Sequence, residues 1–81
     1  MTRDEALGVI TNLLLEKVRE DQYPSGAQMD LIEASIPHSM ISDYVEVLVE
    51  KITQDTYPSL PMIARLQRVA NRLPREEQRD D

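Results

Sequence analysis

Four arginines near one end of the chain recur at the spacing of a single helical face. Arg65, Arg68, Arg72 and Arg75 are three or four residues apart, and no acidic residue occurs from Leu60 to Arg75. Their planar guanidinium groups suit carboxylates and phosphates. We predict that this arginine face binds an acidic protein partner or, as the alternative, nucleic acid. A solvated face that pairs with acidic residues elsewhere in the chain is the non-functional interpretation.

Other chemistry-bearing residues form no recognisable site. The chain has no cysteine and one histidine, His38, so the pattern offers no set of transition-metal ligands. Gly8 and Gly26 are the only glycines, which is too few for a phosphate-binding loop. The serines have capping or surface explanations. We therefore expect no catalytic residue, no metal and no cofactor, and the sequence predicts that the protein is not an enzyme.

Length and charge set the class of protein. Eighty-one residues suffice for one domain with one modest core. The net charge of −6 argues against general attraction to nucleic acid or to anionic lipid. No apolar run approaches the roughly 20 residues that span a bilayer, and no signal peptide is visible. Together with the absence of cysteine, this predicts a cytoplasmic protein without membrane contact.

A short motif occurs twice, as DQYPS and as DTYPS, 34 residues apart. The similarity extends upstream, because LLLEKVREDQYPS (13–25) and VLVEKITQDTYPS (47–59) are identical at seven of thirteen positions. The periodicity on either side of each motif is helical. We interpret the sequence as a duplicated unit of helix, tight connection and helix.

The elements that must position the arginines are therefore four helices, at about 3–20, 26–36, 40–54 and 60–73. They form two hairpins, 3–36 and 40–73, in one domain over 1–74. The predicted fold is all-α, a compact four-helix arrangement with a pseudo-twofold axis between the hairpins. Thr2, Ser25, Ser39 and Ser59 are the predicted N-caps. The charged segment 75–81 is expected to be a disordered tail.

We interpret the repeated motif itself as a structural clasp. Each proline stops the preceding helix, and the serine that follows caps the next one. We expect each tyrosine ring to lie on the apolar seam of its hairpin. Each aspartate is expected to form an Asx-turn or to accept hydrogen bonds from the connection. The alternative is a symmetric binding site of two Asp–Tyr pairs. The clasp residues are Asp21, Tyr23, Pro24, Ser25, Asp55, Tyr57, Pro58 and Ser59.

The first and third helices carry more apolar residues than one buried face needs. We predict that the surplus mediates self-association, as a homodimer, through Leu15, Val47 and Val49. A monomer with scattered exposed aliphatic side chains is the alternative. The sequence thus predicts a small non-enzymatic module for protein–protein interaction, such as an adaptor, a regulator or an accessory factor. A nucleic-acid-binding regulator that uses the arginine face is the second hypothesis.

Overall fold

The computed structural model describes residues 1–75, and this part of the chain is entirely helical. The helices are α1 (Arg3–Glu20), α2 (Gly26–Ser35), α3 (Ile41–Gln54) and α4 (Leu60–Ala70), and a short 3₁₀ turn (His38–Met40) leads into α3. The prediction of an all-α, four-helix protein is confirmed. Apart from Arg75, the predicted tail lies outside the described residues.

Side-chain caps fix where three of the helices begin. The Glu5 N–H donates to Thr2 Oγ1 at 3.1 Å, and the Thr2 N–H donates to Glu5 Oε1 at 3.4 Å. Ser25 and Gln28 form the same reciprocal pair at 3.1 and 3.0 Å. At α4 the Met62 N–H donates to Ser59 Oγ at 3.3 Å. Each cap satisfies backbone donors that the first helical turn leaves unpaired.

The predicted cap at Ser39 is wrong. Ser39 lies inside the 3₁₀ turn, and Met40 precedes α3 without a side-chain cap. A backbone carbonyl takes the place of the side-chain cap, because the Met40 N–H donates to the Pro37 carbonyl at 2.9 Å. Helices α2 and α4 are also shorter than predicted. Helix α2 ends because Pro37 holds Ile36 in an extended conformation. Helix α4 ends because the chain tightens into a turn from Ala70 to Leu73.

The core is built around α3. This helix packs against both α1 and α4, and α1 packs in addition against α2. Tyr44 and Leu48 of α3 are fully buried. Burial of these apolar side chains supplies most of the favourable free energy of folding. The buried apolar residues are Leu15, Val18, Met29, Ile32, Ile36, Ile41, Tyr44, Val47, Leu48 and Val69.

The two copies of the repeat share their local backbone but not their packing. Ser25 and Ser59 cap their helices with nearly the same backbone angles. Positions 34 residues apart are nevertheless buried differently. Leu15 is 2% exposed while Val49 is 44% exposed, and Val47 is 1% exposed while Leu13 is 59% exposed. A pseudo-twofold axis would give equal burial, so the predicted symmetry does not hold at these positions.

Candidate functional site

The arginine face of α4 turns towards α2 at Arg65. The Arg65 side chain is only 14% exposed. Its Nη1 donates to Asp30 Oδ1 at 2.9 Å and also to Glu33 Oε2. Burial lowers the pKa of the guanidinium, but the hydrogen bonds to Glu33 and Asp30 outweigh it and raise that pKa above its usual value. Arg65 is therefore a charged, partly buried tie between α4 and α2.

Glu33 is the centre of this contact. Its carboxylate accepts hydrogen bonds from Arg65 and, at 3.4 Å, from Arg68 Nη2. The Tyr44 hydroxyl donates to Glu33 Oε2 at 2.7 Å from within the core. Burial raises the pKa of Tyr44, and the hydrogen bond to Glu33 adds to the rise. The cluster of Glu33, Tyr44 and Arg65, here called the Glu33 cluster, joins three helices.

The remaining arginines are more open to solvent. The Arg68 side chain is 60% exposed, and Arg72 and Arg75 are exposed as well. Arg72 Nη1 donates to the Glu33 carbonyl at 3.2 Å, where α2 ends and its last carbonyls lack helical partners. The face thus splits into one arginine held inside the chain and three that keep donors available to solvent.

This arrangement changes the chemistry expected of the arginine face. Asp30 and Glu33 bring two carboxylates to Arg65 and Arg68, so much of the positive charge of this pair is compensated. Compensated guanidinium groups attract an incoming anion less strongly than free ones. Arg65 binds within the chain as the non-functional interpretation expects. Partner binding by Arg68, Arg72 and Arg75 stays a prediction.

A second candidate surface lies on α1, on the side away from the core. Val9 and Ile10 are each 47% exposed and Leu13 is 59% exposed. With the half-buried Ala6, they occupy positions i, i+3, i+4 and i+7 of α1. Residues at this spacing lie on one helical face. We call these four residues, Ala6, Val9, Ile10 and Leu13, the α1 stripe.

Two of the three residues predicted for self-association are not on the surface. Leu15 and Val47 lie in the core, so neither can contact another chain in this fold. The prediction is wrong for these two because the wide apolar arcs of α1 and α3 did not indicate which part faces inward. Val49 is exposed, and its exposed neighbours one turn away on α3, Glu46 and Thr53, are polar. Within residues 1–75, the α1 stripe brings three large exposed aliphatic side chains together on one helical face.

The two connections lie next to each other at one end of the molecule. They border an open cleft of about 160 Å³ whose lining includes Tyr23, Asp55 and Met62. Both tyrosine rings extend into solvent, with Tyr23 73% and Tyr57 88% exposed. The expectation that they lie on an apolar seam is therefore wrong, because most of each side chain is in contact with solvent. Asp21 accepts a hydrogen bond from Gln28 Nε2 at 3.2 Å, so the donor lies in α2 and not in the connection.

Lys51 joins the hairpins at this end. Its Nζ donates to the carbonyls of Arg19 and Asp21, each at 2.7 Å, and so caps the C-terminus of α1 from α3. Sequence reasoning missed this contact, as it missed Glu33. The sequence contained an indication only for Tyr44. A tyrosine at an apolar helical position is expected to be buried, and its hydroxyl then needs a hydrogen-bond partner.

Across residues 1–75, no three potential His, Cys, Asp or Glu ligands come together around a possible metal position. None of the helices in this part of the chain has the length and apolar content needed to cross a membrane. Comparison of the chain with protein-family models, with curated proteins and with solved structures gives no match.

Proposed function

We propose that this chain is a small, non-enzymatic protein–protein interaction module, acting as an adaptor, a regulator or an accessory factor. The observation that carries the proposal is the α1 stripe. Three large aliphatic side chains, Val9, Ile10 and Leu13, are about half exposed and adjoin one another over little more than one helical turn. Contiguous exposed apolar surface is typical of contact sites, whereas single exposed aliphatics need no explanation.

The alternative of nucleic-acid binding through the arginine face has less support. The carboxylates of Asp30 and Glu33 lie among the guanidinium groups that would have to approach phosphate. An acidic protein partner would face the same competition at Arg65. Either partner would therefore depend on Arg68, Arg72 and Arg75, and its affinity should fall with rising salt.

Two further expectations are part of the same proposal. The seven identities between 13–25 and 47–59, and the matching serine caps, support the duplication of one ancestral hairpin. The different burial of Leu15 and Val49 would then reflect divergence after duplication. The absence of cysteine suits a reducing compartment, and we propose a cytoplasmic location.

The proposal is tested by a matched pair of substitutions. Leu13 on the α1 stripe and Leu31 on α2 are 59% and 60% exposed, so a glutamate should disturb the fold equally little at either site. We expect Leu13→Glu to abolish binding of the proteins, including further copies of the chain, that the wild type retains on a column. Leu31→Glu should retain them.

Circular dichroism would establish that both variants remain helical. The proposal is contradicted if both variants retain the same proteins as the wild type. It is equally contradicted if the wild type, assayed in extract of the cell it comes from, retains nothing and stays monomeric at high concentration.

A further inference from the structure

We infer that the α1 stripe docks onto the α1 stripe of a second copy of this chain, with the two α1 helices parallel. The inference rests on the proposed function, because it identifies the partner of that same surface. Other occupants of the stripe are outcomes of the experiment below.

The two long edges of the stripe carry opposite charges. With about 3.6 residues per turn, Glu5 and Glu16 flank Val9 on one edge of the stripe. Arg3 and Lys17 flank Ile10 on the other edge. All four charged side chains are exposed. The surface is therefore an apolar strip with a negative margin on one side and a positive margin on the other.

Such a strip is complementary to itself in one orientation only. When two parallel helices face each other, the negative margin of one lies against the positive margin of the other, at the same position along the helix axis. Lys17 then lies opposite Glu16 of the second copy, and Arg3 lies near its Glu5. In an antiparallel pair with the same apolar overlap, like margins meet, so that Arg3 approaches Lys17 and Glu5 approaches Glu16. Like charges across an interface are unfavourable.

The repeat offers a reason why this face should be covered. Ile10 and Leu13 correspond, at the constant offset of 34 residues, to Tyr44 and Val47. Those two residues of α3 are 0% and 1% exposed, covered by the rest of the chain. The same positions of α1 retain large apolar side chains, although the fold of residues 1–75 leaves them about half exposed. A second copy supplies the missing cover.

The size of the stripe limits how strong the dimer can be. Two helical turns bury less surface than the roughly 1,200 to 2,000 Å² of a standard stable interface. The contact therefore belongs among weak, reversible associations, and the dimer should form only at high protein concentration.

Charge exchange on the margins tests the inference. In the parallel pair, Glu16→Lys and Lys17→Glu each replace two attractive pairs with two repulsive ones. Exposed pairs contribute up to about 1 kcal/mol, so each variant should self-associate about tenfold more weakly than the wild type at low salt. An equimolar mixture of the two variants should recover the wild-type affinity, because every margin again meets its opposite. Sedimentation equilibrium of the full chain measures all of these constants.

Each other outcome overturns the inference in a distinguishable way. If both single variants associate more tightly than the wild type, the helices are antiparallel. If neither variant changes the constant, or if Leu13→Glu dimerises like the wild type, another surface mediates self-association. If the wild type stays monomeric while Leu13→Glu still loses a different protein, the stripe binds another partner and the proposed function stands without the homodimer.

Discussion

Glu33 illustrates how one residue can decide the character of a whole surface. Its carboxylate is 16% exposed and accepts hydrogen bonds from side chains of α3 and α4. The carboxylate needs these donors, because a partly buried charge without hydrogen-bond partners lowers the stability of the folded state. The charges of Arg65 and Glu33 therefore belong to the tertiary structure as much as to the surface.

Arg65→Gln should accordingly destabilise the protein. The substitution removes the charged donor that Glu33 and Asp30 share, and hydrogen bonds to charged groups contribute about 1.5–3 kcal/mol. We expect the free energy of unfolding in urea to fall by about 2 kcal/mol. Arg75→Gln is the control, because Arg75 is exposed and should change stability by no more than about 0.5 kcal/mol. Equal stability of the two variants would mean that the Glu33 cluster does not stabilise the fold.

The spacing of the arginines predicted one helical face, but α4 ends at Ala70, so Arg72 and Arg75 lie beyond the helix. The spacing did not predict the partners of the arginines. Arg65 and Glu33 are 32 residues apart, and helical periodicity relates only residues a few positions from each other. Which of the fifteen acidic residues meets Arg65 depends on how α2 and α4 cross. The packing of the core decides which acidic residue pairs with Arg65, and local sequence patterns do not predict it.

At the scale of the elements, α1 has a weak point within its first three turns. Gly8 lies inside the helix with ordinary backbone angles, and a Cβ built there meets no atom within 4 Å. Glycine in a helix interior costs roughly 0.5–1 kcal/mol relative to alanine, because the unfolded chain loses more freedom on folding. Nothing in the fold of residues 1–75 requires glycine at this position.

We expect Gly8→Ala to raise the free energy of unfolding by about 0.5–1 kcal/mol, measured by thermal and urea denaturation. Gly26→Ala is the matched control. Gly26 is the first residue of α2, where helix propensity counts for less, and its added Cβ would already lie 3.7 Å from Arg65 Nη2. A destabilising Gly8→Ala would indicate a close approach of another surface to that position, and would contradict the open space seen there.

Most of each helix could be read from the sequence, because its determinants are local. Capping pairs such as Thr2 with Glu5 and breakers such as Pro24 act within a few residues. The face that each helix buries was less predictable. In α1, apolar residues cover more than half of the circumference of the helix, so the sequence does not distinguish a buried Leu15 from an exposed Leu13. Their burial differs because α1 has neighbours on one side only.

For the whole molecule, the question is how far the repeat extends into the tertiary structure. Lys17 and Lys51 occupy equivalent positions in the two copies. Lys51 caps the C-terminus of α1, where it donates to two carbonyls. Lys17 is exposed, and no lysine cap of this kind forms at the C-terminal end of α3 within residues 1–75. The contact between the hairpins is therefore one-sided, although the sequence of the two helices is similar.

This asymmetry has a measurable consequence. Lys51→Gln removes a charged donor from two carbonyls and loosens the contact between α1 and α3, whereas Lys17→Gln removes a solvated side chain. Because the cap lies at the surface, we expect Lys51→Gln to lower the free energy of unfolding by about 1 kcal/mol, and Lys17→Gln to change it by less than about 0.5 kcal/mol. Both are measured in urea at low protein concentration, where association through α1 cannot contribute. Equal losses in the two variants would indicate that both lysines cap, and that the hairpins pack symmetrically after all.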